Sequence, residues 1–171
     1  MNLLSEWFKF FSILILNREI MPKKCLERTF GMIKPEAIER GLVEEIERRI
    51  HDADLRIEDK KTVHMNEIQF ESIYGHTKGK VPEIYSDLKE HLMKNPVYVL
   101  KISGCDAVNK LLRIRGSSNP AESLPGTIRG DYAKDQDYKK LLKLGKTAKN
   151  VFHASDSLEE ARRDLHMFFG E

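Results

Sequence analysis

The stretch Asn150-Val151-Phe152-His153-Ala154-Ser155-Asp156-Ser157 decides how this chain is read. The apolar pair Val151-Phe152 predicts a short buried strand with His153 at its end. Ser157-Leu158-Glu159-Glu160 has the spacing of a capping box, so a helix begins there. Leu158, Ala161, Leu165 and Phe168 keep one face of that helix apolar. A histidine between a strand end and a helix N-terminus sits where backbone N–H groups and the helix dipole favour anions. With an ordinary pKa of about 6.5, a neutral imidazole there is a candidate nucleophile toward phosphorus. A lone histidine more often only fills a strand end, so its meaning depends on what the rest of the chain brings to it.

Working outward, Tyr132 to Lys149 is polar and rich in lysine (Lys134, Lys139, Lys140, Lys143, Lys146, Lys149), and reads as a solvated loop or short helix. Gly116 to Asp131 holds Gly116, Pro120, Pro125, Gly126 and Gly130, a long loop of the kind that carries function. Asp106 to Ile114 is a helix on Val108, Leu111 and Leu112. Val97 to Ile102 is a buried strand. Pro82 to Met93 is a helix stopped at Asn95-Pro96. Asn66 with Gln69 caps a short helix through Ile68, Phe70, Ile73 and Tyr74. Leu55 to Met65 is a strand. Gly41 to Ala53 is an amphipathic helix with Leu42, Val43, Ile46 and Ile50 inward and Glu44, Glu45, Glu47, Arg48 and Arg49 on a solvated face. Arg28 to Ile33 is the first strand. The order gives βαββαβ with additions. That is an α+β, ferredoxin-like sandwich, a four-stranded antiparallel sheet with helices on one face.

The 171 residues suit one domain, and 40% hydrophobic with 33% charged residues is a soluble balance. A net charge of +2 makes no global case for nucleic acid, so any basic site is local. Residues 1–26 stand apart as a non-core extension. Trp7, Phe8, Phe10, Phe11, Ile13, Leu14, Ile15 and Leu16 are dense and apolar, but the run Phe11 to Leu16 is far short of the ~20 residues a membrane span needs. Glu6 stands where a signal peptide would carry positive charge. Cys25 and Cys105 are far apart and form no metal pattern, so two reduced thiols in a cytoplasmic protein are expected.

Cations cluster at element ends: Lys34 after the first strand, Arg113 and Arg115 before the long loop, Arg129 within Gly126-Thr127-Ile128-Arg129-Gly130-Asp131. Arginine offers phosphate a bidentate fork and lysine a point charge. Four pieces then resemble the nucleoside diphosphate kinases. They are Arg28-Thr29-Phe30-Gly31-Met32-Ile33-Lys34-Pro35 with Arg40-Gly41-Leu42-Val43; Ser118-Asn119-Pro120-Ala121; Pro125-Gly126-Thr127-Ile128-Arg129-Gly130-Asp131; and Asn150 to Ser157. The resemblance covers residues 27–171 and implies the same ferredoxin-like fold. It implies transfer of a γ-phosphoryl group between nucleoside triphosphates and diphosphates, by a ping-pong route through a histidine phosphorylated on Nδ1, here His153. Lys34 matches the lysine reaching the ribose hydroxyl and transferred phosphate, and Asn150 the asparagine on that hydroxyl. Arg129 matches the arginine on the distal phosphates, and Ser118 stands at a phosphate-binding threonine. Tyr74 and Ser155 match residues beside the histidine, and Asp156 the aspartate that meets the nucleotide's Mg²⁺ through water. The resemblance also implies a homo-oligomer, although the chain stops at Glu171 without the family's usual C-terminal tail.

Departures from the family pattern mark expectations to check. Leu112 occupies a phosphate-binding arginine position. Arg113 is the replacement, one residue and a ~100° helical rotation away, with Arg115 as its rival. Asp164 stands where a glutamate orients the histidine, one methylene shorter. Tyr85 is the candidate for stacking on the base. Residues 132–149 are an insertion whose Lys139, Lys140 or Lys146 could add to the phosphate field. The alternative function is a catalytically weak nucleotide-binding regulatory module. An RNA-binding βαββαβ module lacks its aromatic pair, because the first strand offers only Phe30.

Overall fold

The computed structural model describes residues 25–171. The apolar N-terminal cluster, with residues 1–24 of the expected extension, lies outside the described residues; the last two residues of that extension, Cys25 and Leu26, are described, and Leu26 opens the first strand. Four strands form: β1 (Leu26–Ile33), β2 (Arg56–Val63), β3 (Val97–Cys105) and β4 (Phe152–Ala154). They pair antiparallel in the order β2-β3-β1-β4. The helices are α1 (Pro35–Glu39), α2 (Val43–Asp52), α3 (Glu67–Tyr74), α4 (Pro82–Lys94), α5 (Ala107–Arg115), α6 (Ile128–Tyr132), α7 (Tyr138–Leu142) and α8 (Leu158–Phe169).

The sequence predicts helices on one face of the sheet; the structure covers both. Alternate residues of the central strands enter two separate cores. Ile33, Leu100, Ile102 and Phe152 pack with Ile46, Ile50 and Leu111 of α2 and α5. Phe30, Met32, Val97 and Val99 pack with Phe70, Leu88, Leu92, Leu165 and Phe168 of α3, α4 and α8. A strand buried on both faces must be apolar nearly throughout, which is why β3 reads as a continuous run rather than an alternation. The edge strand β2 is mostly exposed.

Local signals place the elements as expected. Asn66 and Gln69 form the reciprocal capping box of α3. Ser157 Oγ accepts from Glu160 N–H at 3.1 Å, but Glu160 reaches back to Asp156 N–H at 2.9 Å rather than to Ser157. The return bond of that box is therefore one residue out of register.

One expectation is corrected outright. Cys25 and Cys105 are joined in a disulfide, 80 residues apart in sequence and 4.8 Å apart at Cα. The β1–β3 register is the reason: Leu26 lies opposite Cys105, so Cys25 falls beside it. Spacing along the chain could not reveal a pairing created by the sheet. The cytoplasmic expectation loses the ground that reduced thiols gave it. Among the described residues, no helix is long and apolar enough to cross a membrane.

Candidate active site

His153 is the middle residue of β4, opposite Met32 of β1. Its ring lies 5.6 Å from that of Tyr74 and 6.3 Å from that of Phe30, centroid to centroid. Burial, then the charges of Lys34, Arg129, Arg115 and Arg163, push its pKa well below 6.5. The imidazole is therefore neutral at physiological pH, with a lone pair free for nucleophilic attack. Its Nε2 is buried without a protein partner, as are the Tyr74 hydroxyl and Asn150 Oδ1. Buried polar atoms normally find partners. The unpaired Tyr74 hydroxyl and Asn150 Oδ1, on residues near the imidazole, fit a polar ligand.

The three cations are placed by different elements. Lys34 follows β1 in extended conformation and caps α1, with Pro35 at the first position of that helix. It is 3% exposed, with Nζ 5.6 Å from the Tyr74 ring centroid. Burial lowers its pKa to about 8; Glu36 opposes that shift and Arg129 adds to it. Arg129 lies in α6 and is 5% exposed. It donates to Phe152 O at 2.9 and 3.2 Å and to Ser117 O at 2.9 Å. Burial first, and Arg115 second, lower its pKa to about 9. Arg115 donates to Ala154 O at 3.3 Å and to Asp156 Oδ1 at 2.7 Å.

These bonds follow from sheet order. Strand β4 lies at an edge of the sheet, and an edge strand presents unpaired carbonyls to one side. Arg129 covers Phe152 O and Arg115 covers Ala154 O, the carbonyls flanking His153. The same contacts that finish the edge of the sheet hold two guanidinium groups beside the imidazole.

Several expected residues are placed elsewhere. Arg113 is exposed and bonded to Asp106 at 3.1 Å. Leu112 packs against the α2–α5 core. Arg115, three residues on and nearly one turn later, brings the cation to the site. Tyr85 is not free to stack on a base: it is 8% exposed, packs edge-on against Phe70 at 5.5 Å, and its hydroxyl is bonded to Glu71. Asp164 is buried, but its carboxylate accepts from Ser155 Oγ at 2.7 Å and from Arg163 at 3.1 Å. The shorter side chain thus reaches Ser155, and no bond to His153 forms. Ser118 is exposed on the loop before α6, its carbonyl 3.4 Å from Arg129. Asp156 is exposed beside Arg115. Among the described residues, no cluster of three metal-ligating side chains occurs.

The insertion is a docked segment rather than a free loop. Lys139 pairs with Glu122 at 2.8 Å, Lys134 donates to Ser123 O, and Asn119 Oδ1 accepts from Tyr138 N–H. Thr147 N–H donates to Asp87 of α4 at 2.8 Å. Lys140 lies 3.8 Å from Asp137. Lys139 and Lys140 are therefore occupied by carboxylates.

Two contributors were missed from sequence. Arg49, assigned to a solvated face, pairs with Asp131 at 2.7 Å, and its guanidinium carbon lies 4.7 Å from the Tyr132 ring centroid. It anchors α6, the short helix that carries Arg129. Glu36 is buried and bonds both to His91 Nε2 at 2.8 Å and to Val151 N–H at 2.9 Å. Its place directly after Lys34-Pro35 was the only available signal.

Comparison with known proteins places this geometry. The family profile described as nucleoside diphosphate kinase matches residues 27–171. A nucleoside diphosphate kinase of Saccharolobus islandicus is 40% identical over 144 residues, covering 84% of this chain and 95% of that protein. The solved structure of an NDP kinase from Pyrobaculum aerophilum superposes with a TM-score of 0.74 at 28% identity, covering 84% and 96% of the two chains. A nucleoside-diphosphate kinase from Borrelia burgdorferi has the same fold, with a TM-score of 0.79 at 23% identity over 86% and 89%.

Proposed function

Since the chain belongs to the nucleoside diphosphate kinase family, a family of phosphotransferases, we propose that it moves the γ-phosphoryl group of a nucleoside triphosphate to a nucleoside diphosphate through a phosphohistidine at His153. The observation that carries this reading is a neutral, half-buried imidazole in the field of Lys34, Arg129 and Arg115. A neutral ring has the lone pair that attack on phosphorus requires. The surrounding positive charge that suppresses its protonation also attracts the phosphates.

In the first displacement the His153 lone pair attacks the γ-phosphorus. The bond to the bridging oxygen breaks, and the diphosphate leaves with the electron pair. In the second, a terminal oxygen of another diphosphate attacks the phosphohistidine, and the imidazole leaves neutral. By the family resemblance, the nitrogen that takes the phosphoryl group is Nδ1. Arg129 and Arg115 take charge on the phosphate oxygens, with Ser118 at the rim. Lys34 and Asn150 take the ribose hydroxyl, and Lys34 also meets the transferred group. Tyr74 closes one side of the ring. Mg²⁺ carried by the nucleotide would neutralise phosphate charge, and Asp156 is the residue that would face it. Asp164 acts through Ser155. A homo-oligomer is what the family resemblance implies, and native mass measures it. The kinase domain is taken as residues 27–171.

The test is steady-state exchange between ATP and a second diphosphate. Rapid formation of the second triphosphate is expected. Tight nucleotide binding without exchange would overturn the kinase reading and leave a regulatory module.

Lys34 gives the reading a pH signature. Its folded pKa of about 8 lies below the unfolded value of 10.5. Between these values the unfolded chain binds the extra proton, so this group makes stability rise with pH, by ~3 kcal/mol in all. Over the same range the free enzyme loses the charge it needs for phosphate. The profile of kcat/KM is expected to fall above about pH 8 while Tm does not fall with it. In Lys34→Gln that inflection should vanish; an unchanged profile would remove Lys34 from phosphate binding.

A further inference from the structure

Val151 has a φ of +60°, and the other described non-glycine residues at positive φ are Asp54 and Asp106. Aspartate tolerates that region, but a β-branched residue does not. Phe152 N–H closes on Asn150 O at 2.7 Å across it, giving a γ-turn with positive central φ, the rarer and more strained form. Such a conformation persists only where its surroundings hold it. Here the holding groups come from the far end of the sequence. Val151 O accepts from Lys34 N–H at 2.9 Å, and Val151 N–H donates to Glu36 Oε1 at 2.9 Å. The Val151 side chain is fully buried in the core.

We infer that Glu36 is a positioning residue for phosphoryl transfer: its carboxylate holds the Asn150-Val151 turn and so sets Asn150 and His153 relative to Lys34. Glu36 touches no reacting atom in this role. One oxygen serves Val151, and the other accepts from His91 on α4. Asn150 precedes the strained residue and keeps its Oδ1 without a protein partner, while His153 follows two residues later. Release of the Val151 N–H removes a constraint on both. The competing role for Glu36 is a counter-charge to Lys34, whose pKa it raises. The kinetic part of this inference rests on the phosphotransfer reading; the structural part does not.

The experiment compares Glu36→Gln with Glu36→Ala in the full chain. Glutamine keeps an acceptor for Val151 N–H and loses the charge; alanine loses both. Hydrogen exchange at Val151 and Phe152 is expected to accelerate in the alanine variant and stay slow in the glutamine variant. The alanine variant should lose about 10- to 100-fold in kcat/KM, with glutamine restoring it to within about threefold. Using 2′-deoxy and 3′-deoxy nucleotides, the alanine variant should also discriminate less between substrates with and without the ribose hydroxyl that Asn150 binds. Equal losses in the two variants, with a lower Lys34 inflection in both, would assign Glu36 to charge balance and overturn the inference. Unchanged amide exchange in Glu36→Ala would also overturn it, even if the wild-type chain proved to lack exchange activity.

Discussion

Exposure of the wild-type chain to Mg-ATP is expected to leave an acid-labile phosphoryl group on the protein, and His153→Ala to abolish it. Loss of a nucleophile is all-or-none chemistry, so exchange should drop on the order of 10⁵- to 10⁶-fold. The fold should survive the substitution. The ring packs against Tyr74 and Phe30 at distances above 5 Å, and its Nε2 is buried unpaired, so truncation removes a polar atom that has no protein partner. The charge state adds a second readout. With the pKa held well below 6.5, the rate of labelling should not bend near pH 6.5 as it would for an ordinary histidine. Mapping of the phosphoryl group to His153 Nδ1 would complete the assignment. Labelling of the alanine variant would end it, and would direct attention to His91, the half-buried histidine bonded to Glu36.

Much of this site was legible from residues that act through local chemistry. A histidine after Val151-Phe152, a lysine at the end of β1, and an arginine between glycines are each readable from their immediate neighbours. The capping residues of α3 and α8 likewise gave those helices their starts. What escaped was set by contacts between distant segments. The Cys25–Cys105 disulfide depends on the β1–β3 register. The identity of the second arginine depends on which face of α5 meets β4, and a two-residue step there separates exposed Arg113 from buried Arg115. Tyr85 had the right chemistry for a base but faces the α3–α8 core. The Val151 turn depends on a carboxylate 115 residues earlier in the chain.

Arg129 provides the second large effect, and it separates activity from stability. Its guanidinium is nearly buried among backbone carbonyls, and the cost of that burial appears as a pKa lowered from 12.5 to about 9. That depression corresponds to ~4–5 kcal/mol against the charged form. Replacement by a neutral side chain relieves this term but strips donors from Phe152 O and Ser117 O, each loss worth about 1–3 kcal/mol. The two sides are of similar size. Arg129→Met, which also keeps most of the volume, is therefore expected to change stability by no more than ~2 kcal/mol. Nothing offsets the kinetic loss, because a preorganised cation facing the phosphate has gone. A drop of about 10²- to 10³-fold in kcat/KM is expected, the size found when one donor to a developing charge is removed. Arg129→Lys restores the charge without the fork, so it should recover part of the rate while leaving one of the two carbonyls poorly paired. A near-native Tm beside a hundredfold slower enzyme would mark Arg129 as a residue retained for chemistry at little net gain to the fold. A methionine variant within tenfold of wild type would instead make Arg129 a structural cover for the edge of β4. The phosphate charge would then fall to Arg115 and Lys34.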